Sequence, residues 1–239
     1  MRVKYSVIKI LVLLAVVSGL FAFSNTRNSE RPINDTQINF LGEDNLYITH
    51  ETVSKLLILN QESVTDKPKE IIDLNQLENA LKSNKMVKNA EVFVSVEGTL
   101  TAEIVQKRPI ARVSNEASFY IDEEGSYMPL SGNYTARVPL VTGDVNKDQM
   151  DAVFQFAKAV DTDDFLKKHV IQIHQNENGS IDFRIRNSQA VVKLGYVEHL
   201  TKKINNFKAF YQKAVKDNIL NKYSVINLTF NSQVICTKL

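Results

Sequence analysis

The chain has 239 residues, 44% of them hydrophobic and 23% charged, with a formal net charge of +2. That balance belongs to a folded protein, and it excludes wholesale disorder and a nucleic-acid binder resting on a strongly basic surface. A lone cysteine, Cys236, excludes an internal disulfide, and eight glycines spread over the length exclude a low-complexity chain.

Val7 to Phe23 is apolar except for Lys9, Ser18 and Gly19. As a helix it reaches roughly 25 Å, the short end of what crosses a bilayer. Arg2, Lys4 and Lys9 precede or open the run, so the positive-inside bias leaves a tail of residues 1–6 in the cytoplasm and exports the rest. A membrane anchor and a cleaved signal peptide both fit, since Ala22-Phe23-Ser24 offers small residues for cleavage. No cysteine follows the run, which argues against a lipoprotein. Residues 24–36 are polar, contain Pro32 and read as a linker.

Ile38 to Leu41 is a short strand candidate closed by Gly42. Thr49 can cap a helix carrying Val53, Leu56 and Leu57 on one face. After a polar stretch, Asn60 to Glu70, Asp73 and Gln76 form a capping box for a second helix with Leu74, Leu77 and Leu81 as its apolar stripe. Ala90, Val92, Val94 and Val96 then alternate with polar neighbours, Glu97-Gly98-Thr99 turns the chain, and Leu100, Ala102 and Ile104 return. The order is β-α-α-β-β, and Pro109 marks a boundary after it.

The second half is richer in strands: Ile110–Val113, Ser118–Asp122, Val170–Gln175, Ile181–Arg186, Ala190–Leu194, Ser224–Phe230 and Gln233–Thr237. Two helices interrupt them. Asn146 and Gln149 form a capping box before Met150, Val153, Phe154 and Ala157. A later helix aligns Val197, Leu200, Ile204, Phe207 and Tyr211. Its lysines at 202, 203, 208, 213 and 216 read as a solvated outer face. The fold class expected is α+β, an apolar N-terminal helix followed by a small β-α-α-β-β domain and a mainly antiparallel β domain with packed helices.

Catalytic and metal patterns fail on inspection. His50-Glu51 lacks the second histidine of a zinc-protease motif, because Ser54 stands in its place. His169 and His174 are five apart and share no helix or strand face. Asp144 to Asp148 imitates a calcium loop, but Gln149 replaces the glycine and Gln155 the bidentate glutamate. Asp161, Asp163 and Asp164 read as a helix end with a solvated loop rather than paired catalytic carboxylates. Cys236 reads as a small buried strand residue, with nothing nearby to lower its pKa. These residues imply no enzyme and no cofactor.

Several strings resemble the FtsQ/DivIB family of bacterial cell-division proteins. They are Asn45-Leu46-Tyr47-Ile48, Met86 to Val92, and above all Val105-Gln106-Lys107-Arg108-Pro109-Ile110-Ala111. Phe119-Tyr120-Ile121-Asp122, Val138 to Gly143, Lys193-Leu194-Gly195 and Ser224 to Phe230 follow in the family's order. The resemblance implies a retained membrane helix at 7–23, a POTRA domain at 37–108, a β domain at 109–239 and a place at the division septum. It further implies a non-enzymatic divisome scaffold, linking early and late division proteins and binding an FtsB/FtsL-like coiled coil and other divisome membrane proteins. An exported POTRA-containing assembly factor and a signal-cleaved secreted enzyme are the alternatives.

The terminal strand candidate, Gln233 to Thr237, has no proline, glycine or charge before Lys238. Such a strand invites a partner strand if it lies at a sheet edge, and does not if it lies inside the sheet or under another segment. The resemblance favours the edge, with Phe230, Asn231, Ser232, Gln233, Val234, Ile235 and Cys236 as contact candidates. Where the family carries Asp-Leu-Arg-Tyr, this chain has Asn227-Leu228-Thr229-Phe230, so an arginine of the partner contact is missing at Thr229.

Overall fold

A computed structural model describes residues 5–29, 32–42, 45–60, 72–115, 118–147, 150–230 and 232–239. The tail at 1–4, most of the polar stretch at 61–71, Asp148 and Gln149 of the mock calcium loop, and Asn231 lie outside the described residues. The chain forms two units, divided between Gln106 and Lys107.

Helix α1 spans Tyr5–Ser29, longer at both ends than the apolar run alone suggests. No glycine or proline interrupts residues 20–31, so the helix continues into the polar segment expected as linker. Its stretch Ile8–Asn25 is long and apolar enough to cross a membrane and buries nothing against the rest of the chain. The linker proper is correspondingly short, because strand β1 already starts at Asp35 and runs Asp35–Leu41.

Helices α2 (His50–Asn60) and α3 (Leu74–Ser83) follow, then strands β2 (Val87–Val94) and β3 (Thr99–Gln106). The caps are where the residues put them. Thr49 Oγ1 accepts the Thr52 N–H at 3.3 Å, and Asp73 Oδ1 accepts the Gln76 N–H at 3.0 Å. The sheet order is β1-β3-β2, with β1 parallel and β2 antiparallel to β3. Val53, Leu57, Leu77 and Leu81 of the helices bury against Leu100, Ala102 and Ile104 of β3. The turn opens earlier than the alternation suggested: β2 ends at Val94, β3 begins at Thr99, and Val96 is exposed between them. Gly98, with φ +92°, makes that turn, and a Cβ there would lie 2.8 Å from the Pro32 carbonyl oxygen.

The second unit is one nine-stranded sheet, ordered β12-β11-β10-β9-β8-β7-β4-β5-β6. Strands β4 (Pro109–Val113), β5 (Phe119–Asp122), β6 (Tyr127–Met128) and β7 (Leu140–Gly143) precede helices α4 (Asp151–Thr162) and α5 (Asp164–His169). Then come β8 (Val170–Gln175), β9 (Ile181–Ile185), β10 (Val191–Gly195), helix α6 (Leu200–Lys216), β11 (Tyr223–Asn227) and β12 (Ile235–Lys238). Five of its eight strand pairings are antiparallel and three parallel. Phe156, Ala157 and Val160 of α4, Leu166 of α5, and Ile204 and Phe207 of α6 form one core with Ile173, Phe183, Val192 and Ile226.

Four expectations change here. Helix α4 starts at Asp151 behind Met150, which provides no side-chain cap, so Asn146 stands too early for a capping box. The aspartates do end α4, and Asp164 is exposed, but the other two are engaged rather than solvated. Asp161 holds Arg108 and Lys167, and Asp163 caps α5 by accepting the Phe165 and Leu166 N–H groups while pairing with Lys208. Lys203 is 5% exposed, not on an outer face. Finally, β11 stops at Asn227, because the Asn227 carboxamide oxygen accepts from the Thr229 N–H at 2.9 Å and the Thr229 hydroxyl at 2.7 Å. Such a local bond competes with the strand ladder.

Candidate functional site

Among the described residues strand β12 ends the sheet, paired on one side only, antiparallel to β11. Asn227 faces Ile235, Ile226 faces Cys236 and Val225 faces Thr237. The other side of its backbone lies outside the ladder. The strand begins later than the sequence pattern suggests, so Gln233 and Val234 lead into it instead of lying within it. Val234 and Cys236 are half-buried against the core, whereas Ile235 is 43% and Phe230 47% exposed. Burial pushes the Cys236 thiol above its usual range, which keeps it protonated and poorly nucleophilic. Phe230, Ser232 and Gln233 are exposed around the turn before the strand, and Asn231 lies outside the described residues.

The corresponding edge of the N-terminal unit is guarded differently. There Glu78 of α3 accepts the Val92 N–H of β2 at 2.9 Å, and that backbone bond holds the carboxyl below its usual range. A side chain thus occupies part of that edge.

The second unit opens a cleft of about 1450 Å³, lined among others by Gly143, Gln175, Gly195 and Thr229. Strand directions explain its place. β7 is parallel to β8, β8 and β10 each run antiparallel to β9, and β10 is parallel to β11. Four strands therefore point their carboxyl ends the same way, and the loops after them form the walls. Open sheets bind ligands in crevices at such ends. Lys203 is part of the lining, and its ammonium donates to the carbonyls of Leu194 at 3.0 Å and Tyr196 at 2.7 Å. Burial pulls it below the usual lysine range, with Glu198 opposing. Gln175 gives its NH₂ to the Asp144 carbonyl at 2.6 Å, and its buried Oε1 has no hydrogen-bond partner.

The histidines do other work. His169 Nδ1 lies 2.7 Å from the Phe165 carbonyl oxygen with its ring stacked on that phenyl, and His174 Nδ1 lies 3.0 Å from the Thr142 hydroxyl. Among the described residues no three His, Cys, Asp or Glu side chains gather as a metal site. None of the cleft residues was singled out from the sequence as a binding residue. They sit on separate loops with no shared spacing, and the strand order that gathers them is not a local property.

Comparison with known families finds two matches. Residues 108–237, just over half of the chain, match the family described as FtsQ/DivIB, C-terminal related. Residues 35–105 match the POTRA-like domain. No curated protein matches the chain.

Proposed function

The chain belongs to the FtsQ/DivIB family of cell-division proteins, and we propose that it is a non-catalytic scaffold of the division machinery, held by α1 as a single-pass membrane anchor. In this reading the N-terminus is cytoplasmic, the POTRA-like and β domains are extracytoplasmic, and the protein works at the septum. The β domain receives a strand from an FtsB/FtsL-like partner along β12, with Phe230 to Cys236 around the contact. Early and late division proteins are thereby linked in support of septal wall synthesis.

One observation carries this reading: β12 is a terminal edge strand whose outer backbone side pairs with no strand among the described residues, and whose Ile235 is exposed beside it. An added strand gains main-chain hydrogen bonds there, and exposed side chains at alternate positions give selectivity.

The test is affinity capture from detergent-solubilised membranes, with the intact chain compared with Ile235→Lys. A lysine on an edge strand opposes strand addition while leaving the fold intact. The reading expects single-span coiled-coil division proteins with the intact chain and their loss from the variant, whose circular dichroism stays unchanged. Retention by the folded variant would remove β12 as the docking edge. Absence of division proteins from both captures would remove the scaffold.

A further inference from the structure

We propose that a pocket at the amino-terminal ends of β4, β7 and β8 binds an organic carboxylate that carries an apolar group beside its charge. The inference is independent of the strand-addition reading and of any role in division.

Strand directions set the place. β4 runs parallel to β7 and β7 parallel to β8, so their first residues meet at the end of the sheet opposite the cleft. Ile110 comes from β4, Pro139 stands just before β7, and Val170 and Ile171 open β8. Arg186 follows β9, which runs the other way. The space between them is about 460 Å³, within the usual range of small-ligand sites.

Charge sets the sign of the ligand. Arg137, Lys167 and Arg186 line the pocket with one carboxylate, Asp161. That carboxylate is already engaged, because Arg108 takes both oxygens and Lys167 adds a further bond. Arg137 and Arg186 are exposed, and their side chains form no hydrogen bond or ion pair among the described residues. Guanidinium forks without a carboxylate beside a concave surface favour a planar anion, which accepts two parallel N–H bonds from a fork.

The second observation comes from the backbone and is independent of charge. β4 and β8 each carry a β-bulge. Pro109 and Ala111 face Asp122 and Ile121, which leaves Ile110 as the extra residue. Val170 and Gln172 face Ile185 and Arg184, which leaves Ile171 as the extra residue. Both bulged isoleucines line this one pocket. Bulges re-aim side chains and are over-represented beside active sites. Val160 and Val170 are buried in the lining, whereas Ile171 remains 43% exposed. A ligand that covers Ile171 gains by removing its apolar surface from water.

The two observations together select the ligand. Bare phosphate would meet the arginines and leave Ile171 wet, and a neutral apolar molecule would leave the guanidinium groups unanswered. A carboxylate on a short hydrocarbon satisfies both, either as a peptide terminus with an apolar last side chain or as a free short-chain acid.

The experiment uses the full chain in phosphatidylcholine nanodiscs, whose lipids carry no net charge. The probes, titrated by calorimetry, are acetyl-diglycyl-leucine, its carboxyl-terminal amide, acetyl-triglycine, hexanoate and inorganic phosphate. The leucine peptide acid is expected to bind about tenfold tighter than its amide, acetyl-triglycine or phosphate. A paired Arg137→Gln, Arg186→Gln variant weakens it about tenfold and keeps its thermal transition, both side chains being exposed and without partners among the described residues. Ile171→Thr weakens the leucine peptide and leaves acetyl-triglycine as it was. Lys216→Gln, exposed at the end of α6 and outside the pocket, changes nothing and rules out a general charge effect. Hexanoate bound as tightly as the leucine peptide extends the site to free acids, and hexanoate bound far more weakly assigns it to a chain terminus. Absence of binding by the parent, an amide or phosphate that matches the peptide acid, or a paired variant within about twofold of the parent would overturn the proposal.

Discussion

Asp161→Asn removes the centre of the main ion-pair network in the β domain. Arg108 gives the Asp161 carboxylate two parallel bonds, Nη1 to Oδ1 at 3.0 Å and Nη2 to Oδ2 at 2.7 Å, while its Nε reaches Glu123 at 3.0 Å. Lys167 adds a bond of 3.1 Å. Asp161 is only 12% exposed, so this network is worth more than a surface pair. The Arg108 bonds, opposed by burial and helped by Lys167, lower its pKa from 3.8 to about 2. At 1.36 kcal/mol per pH unit that difference contributes about 2 kcal/mol at neutral pH.

The sign follows from the depressed carboxyl. The contribution is complete above the unfolded value near 3.8 and is lost as pH falls through the folded value near 2. At pH 2.5 about one third of it remains. Scanning calorimetry of the full chain at neutral pH should therefore show the β-domain transition of the asparagine variant lowered by roughly 6–10 °C, shrinking to roughly 2–3 °C at pH 2.5. A variant within about 1 °C of the parent at neutral pH, or a penalty that does not shrink on acidification, would refute the reasoning.

Three further substitutions test the remaining supports. Gly143→Ala forces a Cβ to within 2.0 Å of the Gln175 carbonyl oxygen at a residue with φ +94°, and should cost more than about 2 kcal/mol in urea unfolding, with β7 and β8 the first to lose hydrogen-exchange protection. Asp73→Ala removes the cap of α3 and should cost the POTRA-like domain about 1 kcal/mol, leaving the β-domain transition unmoved in the same calorimetric scan. Lys203→Met strips the donor from the Leu194 and Tyr196 carbonyls and should lower β-domain stability by about 1–3 kcal/mol, readable as a shift in the urea midpoint.

Local signals were readable in the sequence wherever a short stretch carries its own physics. Asp73 caps α3 because its carboxylate meets the Gln76 N–H whatever the rest of the chain does, and Leu77 and Leu81 bury because helical spacing puts them on one face. The β-α-α-β-β order and the strands at 170–175 and 181–185 follow from such periodicity. Short elements escaped notice for the opposite reason. β6 has two residues and α5 six, too few for a period to show, and neighbouring strands and the Asp163 cap hold them in place.

Lys203 looked like one of several solvent-facing lysines, because spacing along α6 says nothing about carbonyls arriving from the end of β10. The terminal strand was legible as a strand, two residues out of place. Its position at the sheet edge depends on the order of nine strands, which no local pattern contains. The cleft is hidden for the same reason: Asp144, Gln175 and Glu198 come together only once β7, β8 and β10 share a direction.

The most direct test of the central claim is depletion of this protein in the bacterium that encodes it, followed by microscopy of cell length and septa. A division scaffold predicts long cells that grow and segregate their nucleoids without completing septa, with division restored by the intact chain and not by a chain lacking residues 235–239. Cells that keep dividing at normal length after the protein is gone would contradict the account.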